Sequence, residues 1–215
     1  MIGIQFDDGI LIAADQLASY GSMARFRSVS RVLRVNETTV AGCGGDYADF
    51  QYLSNIITQK QIDEECHADG HTLSPKSLFS WLTRIQYQRR SKFDPLLTTW
   101  IVGGIEAGRP FLGRVDALGT AYQDRAIATG YGAYIATPLL REWTEKRDSL
   151  TEGQARKLVE DAMRVLYCRD ARSFPKYQVA VVKRDPADGS IGSTIDGPYE
   201  IDADWGLADH VCGYE

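Results

Sequence analysis

No stretch of this 215-residue sequence is apolar over the length a bilayer span requires. The longest apolar run, Ile10-Leu11-Ile12-Ala13-Ala14, is strand-sized. A basic segment followed by an apolar one, the mark of a secretory leader, is missing from the N-terminus. Cysteine is scarce, and Cys43, Cys66, Cys168 and Cys212 have no metal-ligand spacing. His67, His71 and His210 form no ligand pair either, since Gly70 is expected to end a helix between the first two. No metal and no cofactor are expected. The glycine-rich pieces at Gly42–Gly45 and Gly103-Gly104 lack a following lysine-serine or lysine-threonine pair, so a phosphate loop is unsupported. Net positive charge is lacking as well: the formal value is −5, which disfavours general affinity for nucleic acid. The one basic cluster, Arg84, Arg89, Arg90 and Lys92, reads as a solvated face or a protein contact at a helix end.

What is present describes one domain over 1–215, 44% hydrophobic and 25% charged, large enough for a single core. Met1 to Asp15 reads as a hairpin with a turn at Asp8-Gly9. A loop, Gln16–Arg27, leads to strands at Ser30–Val35 and Thr38–Gly42. Asp46 is placed to cap a helix with Tyr47, Phe50, Leu53, Ile56 and Ile57 on its apolar side, ending near Gly70. Ser74-Pro75 opens a second helix, striped by Leu78, Trp81, Leu82 and Ile85. Strands at Thr98–Gly103, Pro110–Val115 and Thr120–Tyr122 follow, then a helix at Ala133–Arg147. Thr151-Glu152-Gly153-Gln154 matches a capping box, worth about 1 kcal/mol. Ala155, Leu158, Val159, Ala162, Met163 and Leu166 form the buried stripe of the helix it starts. Tyr177–Lys183 is a strand, Asp188-Gly189 a turn, and a terminal tail closes the chain.

Helices grouped in pairs argue against a doubly wound parallel sheet. An α+β fold is expected: a four-layer αββα sandwich of two stacked, mainly antiparallel sheets with a helix pair on each outer face.

The opening hairpin resembles that of the beta-type subunits of the 20S proteasome, in the N-terminal-nucleophile hydrolase superfamily. The resemblance covers nearly the whole chain and implies the same four-layer fold. In active members the hairpin begins with a threonine that is nucleophile and, through its amine, general base. Aligned on Gly9 and Ala13-Ala14-Asp15, that threonine falls just before Met1, where this sequence has no residue. Asp15 matches the family aspartate, while Arg31 stands at the family lysine and Tyr131, in Gly130-Tyr131-Gly132, at the serine of Gly-Ser-Gly. A guanidinium keeps its proton and cannot relay one. The family's Arg-Asp-x-x-Ser is kept as Arg169-Asp170-Ala171-Arg172-Ser173, with Phe174 in place of the following glycine. Asp15, Arg31, Tyr131, Asp170 and Ser173 are therefore read as a degenerate site without catalytic residues. Further strings, among them Ser19–Arg27, Gly45–Leu53, Ser80–Arg84, Ala128–Tyr134 and Met163–Tyr167, are similar to one non-catalytic member of the inner ring.

The resemblance implies a structural subunit that completes the proteolytic chamber for ATP- and ubiquitin-dependent degradation. It also implies a cytoplasmic and nuclear hetero-oligomer, with partners among beta subunits of the same and opposite ring and alpha-ring subunits. Neither nucleic acid nor membrane is an expected partner. Tyr20, Trp143 and the Tyr131–Tyr134 region are expected on exposed flanks, and 202–215 as an interaction tail. The alternative is an active threonine-type peptidase.

Overall fold

The computed structural model describes residues 1–147 and 149–206. In chain order it contains strands β1 Ile2–Phe6, β2 Gly9–Asp15, β3 Ala18–Tyr20, β4 Met23–Phe26, β5 Val32–Asn36 and β6 Thr39–Gly45. Helices α1 Tyr47–His67 and α2 Pro75–Ser91 come next, then strands β7 Thr98–Glu106, β8 Arg109–Val115, β9 Ala121–Gln123 and β10 Ala126–Ala128. Helices α3 Gly132–Lys146 and α4 Glu152–Arg169 precede strands β11 Lys176–Arg184 and β12 Ile191–Glu200. Two five-stranded antiparallel sheets result, ordered β10-β1-β2-β11-β12 and β5-β6-β7-β8-β9, with β3 and β4 forming a separate ribbon.

Side-chain alternation along β2 explains its unbroken apolar run. Leu11 and Ala13 pack with Ile2, Ile4, Val181, Leu158 and Met163 beneath α3 and α4. Ile10, Ile12 and Ala14 point the other way, into a layer with Val40, Ile101 and Leu112 of the second sheet. A strand buried on both faces has no polar face to show. The outer side of the second sheet is covered by α1 and α2 through Phe50, Leu53, Ile57, Leu78, Leu82 and Trp100. Three apolar layers thus separate helix pair, sheet, sheet and helix pair, which is the expected αββα sandwich.

The helix starts are as the sequence reads. Asp46 accepts hydrogen bonds from the Ala48 and Asp49 amides, and Ser74 from the Ser77 amide. Thr151 and Gln154 complete the reciprocal capping box, and all six expected stripe residues of α4 are buried.

Several details differ. The first turn is Asp7-Asp8, and Gly9 already belongs to β2, opposite Phe6. A Cβ on Gly9 would lie 2.0 Å from the Val182 carbonyl oxygen, so glycine is demanded by strand contact rather than by the turn. The segment expected as loop Gln16–Arg27 holds the β3–β4 hairpin, too short and too exposed for a periodic signal. β10 and β12 are additional strands; β12 is an edge strand, mostly unburied, and lacks apolar alternation. α1 ends at His67 and is capped by Ala68 in the left-handed conformation, two residues before Gly70, whose φ is also positive. On α2 the fully buried positions are Leu78, Leu82 and Gln86, while Trp81 and Ile85 are only half-buried. The buried Gln86 amide donates to Thr98 Oγ1 at 2.7 Å, while its Oε1 has no partner among the described residues.

Past β12 the chain returns over α4. Ile201 is buried, Arg164 donates to the Asp202 carbonyl at 3.1 Å, and Trp205 meets Tyr167 edge-on at 5.7 Å. Residues 207–215, with His210, Cys212 and most of the expected tail, lie outside the described residues.

Candidate functional site

The two sheets open at one end into a cavity of about 560 Å³. All five sequence-identified positions, Asp15, Arg31, Tyr131, Asp170 and Ser173, line it together with Met1. Their convergence is a consequence of register. Asp15 ends β2 opposite Tyr177, Met1 precedes β1 beside the end of β10, and Thr129 donates its amide to the Met1 carbonyl at 3.0 Å. Arg31 stands immediately before β5, where its carbonyl accepts from the Cys43 amide at 2.9 Å. Tyr131 and Asp170 sit at the start of α3 and the end of α4.

Arg31 is committed to Asp15. Its Nε donates to the Asp15 carbonyl at 3.0 Å, and a terminal nitrogen forms an ion pair with the Asp15 carboxylate. Both side chains are about four-fifths buried, at 20% and 19% exposure. Such a fork, fixed at backbone and carboxylate together, is available to arginine and not to lysine.

The retained Arg-Asp-x-x-Ser motif builds a turn. Asp170 closes α4 by donating its amide to the Leu166 carbonyl at 2.8 Å, while its carboxylate accepts from the Arg172 amide at 2.9 Å. Ser173 Oγ donates to the backbone carbonyls of Asp170 and Tyr167, at 2.7 and 3.2 Å. Its hydroxyl is thus directed at the helix end and not at a carboxylate.

Tyr131 begins α3 with helical backbone angles and makes no side-chain capping bond. The residue is 63% exposed and lines the cavity. With Met1 as first residue, burial lowers its amine from 8.0 to about 6; Arg31 acts in the same direction, and Asp15 and Asp170 oppose it. Burial also pushes the nearby Cys43 thiol far up, beyond the range in which a thiolate forms under ordinary conditions.

Thr99, Thr129, Tyr167 and Ile201 are among the other residues of the wall and were not legible as site residues. Thr129 adjoins the Gly130-Tyr131-Gly132 string and could have been found from it. Ile201 carries no sequence signal, because only the return of the chain past β12 brings it there.

The proteasome subunit family profile matches residues 1–182, more than four-fifths of the chain. The chain belongs to that family. It is 49% identical over 215 residues to proteasome subunit beta type-4 of Xenopus laevis, covering 100% of this chain and 86% of the relative. Identity to proteasome subunit beta type-4 of Drosophila melanogaster is 40% over 215 residues, with 100% and 78% covered. Proteasome subunit beta type-7 of Saccharomyces cerevisiae is 36% identical over 223 residues, with 100% and 82% covered. Because these alignments cover all of this chain, the similarity extends beyond the opening hairpin to the strings that pointed to a particular ring member. All three names support the beta-type reading, and the two beta type-4 names support the narrowing to one subunit type.

Proposed function

We propose that this chain is a non-catalytic structural beta subunit of the 20S proteasome core particle, where it completes an inner ring and holds its neighbours in register. The observation that carries this reading is the Arg31–Asp15 fork. The position at which active relatives are expected to hold a proton-relaying lysine is occupied by a group that stays protonated and is tied to both carboxylate and backbone. Tyr131, turned outward where the resemblance implies a small serine, and Ser173, bonded to carbonyls, point the same way.

Assembly with other subunits, of the same ring, the opposite ring and the alpha ring, is supported by the exposed aromatic side chains. Tyr134 and Trp143 on α3, with Tyr20 and Tyr131, are too many large apolar groups for a surface that only meets water. The interaction tail from 202 onward belongs to the same proposal. No helix among the described residues is long and apolar enough to cross a membrane. Residence in cytoplasm and nucleus follows from the proposed particle.

The test is to place a threonine directly ahead of Met1 in a chain that assembles into particles, then treat them with a threonine-directed epoxyketone or boronate. No adduct on this chain is expected while catalytic neighbours are labelled. A stoichiometric adduct, found by intact mass, would establish the active threonine peptidase instead.

A further inference from the structure

We propose that the β3–β4 hairpin is a docking element that receives an acidic, extended segment of a neighbouring subunit. This rests on the ring-subunit reading and adds to it a surface and the chemistry of its partner.

The hairpin is the least self-sufficient part of the described fold. It pairs with neither five-stranded sheet, so both strands keep an open edge. An isolated two-stranded ribbon is marginal in water. Tyr20, Met23 and Phe26 are nevertheless 79%, 56% and 57% exposed, and all of β4 faces outward. Its base, by contrast, is firm. The Val29 amide donates to the Gln16 carbonyl at 3.0 Å, and the Arg31–Asp15 fork closes the segment just outside that bond. A rigid base under an apolar tip is the construction of a presented surface rather than of a solvated loop.

Charge identifies the occupant. From Gln16 to Asn36 the sequence holds Arg25, Arg27, Arg31 and Arg34 and no aspartate or glutamate, in a chain of net charge −5. Arg31 and Arg34 are paired with Asp15 and Glu37. Arg25 lies over the Phe26 ring at 5.8 Å, and neither Arg25 nor Arg27 has an acidic partner among the described residues. Two unpaired guanidinium groups beside open strand edges and aromatic rings fit an extended chain bearing carboxylates, added edge to edge. Arginine and aromatic rings also suit single-stranded nucleic acid. The acidic balance of the rest of the chain favours the peptide.

A photo-crosslinking residue, p-benzoylphenylalanine, is introduced for Tyr20 or for Phe26 in cells that make the complete particle. Particles are purified through a tag on another subunit. Recovery of the chain in them tests the ring-subunit reading separately; a chain that never enters sinks both. After irradiation, mass spectrometry is expected to find cross-links to an Asp- or Glu-bearing extended segment of another subunit. The pair Arg25→Glu and Arg27→Glu, both at exposed positions, should lower that yield roughly tenfold. With the probe at Tyr20, Phe26→Ser should lower it independently. Cross-links confined to this chain, to RNA, or to a basic or helical segment of a neighbour would overturn the proposal, as would yields indifferent to both variants.

Discussion

Arg31 Nε reaches the Asp15 carbonyl at 3.0 Å while the same guanidinium pairs with the Asp15 carboxylate, so one side chain joins the end of β2 to the entry of β5. These are two positions at which the resemblance to active relatives implies catalytic residues. Here they form a clasp at the foot of the β3–β4 hairpin. Chemistry that arginine cannot perform is exchanged for geometry that lysine cannot provide.

Arg31→Ala should therefore loosen the hairpin before anything else. Removing one partner of a mostly buried pair leaves a carboxylate unsatisfied, and partial exposure moderates the cost to about 1–3 kcal/mol. Hydrogen exchange on assembled particles should show faster exchange at the amides of 17–30, with α4 unchanged. Arg31→Lys should recover the ion pair but not the Nε bond, and so fall between the two. Equal exchange in all three forms would remove the clasp.

Cys43 should behave as an inert core residue. It is buried on β6 against the α1–α2 layer, and desolvation holds the thiol protonated well above the ordinary thiol range. Iodoacetamide at about pH 8 should leave Cys43 unmodified in native particles and label it after denaturation. The exposed Cys66 and Cys168 serve as references wherever a neighbour does not cover them. Rapid native labelling of Cys43 would show that the helix layer opens there.

The pairing of sheets and helices was legible because most of the elements that build it bury a face. The α4 stripe and the N-terminal caps of α1 and α2 follow from period and cap chemistry alone, whereas the two-sided burial behind the apolar run of β2 is shown by the structure. β12 and the β3–β4 hairpin escaped because they bury little, and periodicity records burial rather than backbone pairing. Next to Asp8, Gly9 reads as a turn residue, whereas its role is fixed by a strand more than 170 positions away. The five site positions came from likeness to a family, not from spacing. Their convergence on one cavity, and the fork between Arg31 and Asp15, only three-dimensional structure could show.

Gly9→Ala separates strand contact from turn preference. A Cβ 2.0 Å from the Val182 oxygen cannot be housed by a rotamer change, since the obstacle is backbone of β11. β2 and β11 would have to separate, at a cost of about 2–4 kcal/mol. Pulse proteolysis of newly made chain should reveal a larger unfolded fraction, and less of it should enter particles. Glycine in the turn alone would predict near-neutrality, so wild-type resistance would restore the turn explanation.

A free amine on Met1 gives the site a pH dependence whose sign is fixed. Its folded value of about 6 lies below the ordinary 8.0, so the folded state binds fewer protons than the unfolded one between these values. The corresponding stability is present above about pH 8, declines as pH falls, and is lost through pH 6. Two units correspond to on the order of 2–3 kcal/mol. Because burial is the chief cause, with Arg31 adding to it, salt should change the effect little. Two forms separate this group from every other titration: one with Met1 as first residue, and one carrying an upstream residue so that an amide replaces the amine. Denaturation midpoints of the two, measured side by side from pH 5.5 to 8.5, should converge at high pH and part at low pH, the free-amine form being weaker. Parallel curves would mean that the amine reaches water, and that the cavity end near β10 is wetter than its packing implies.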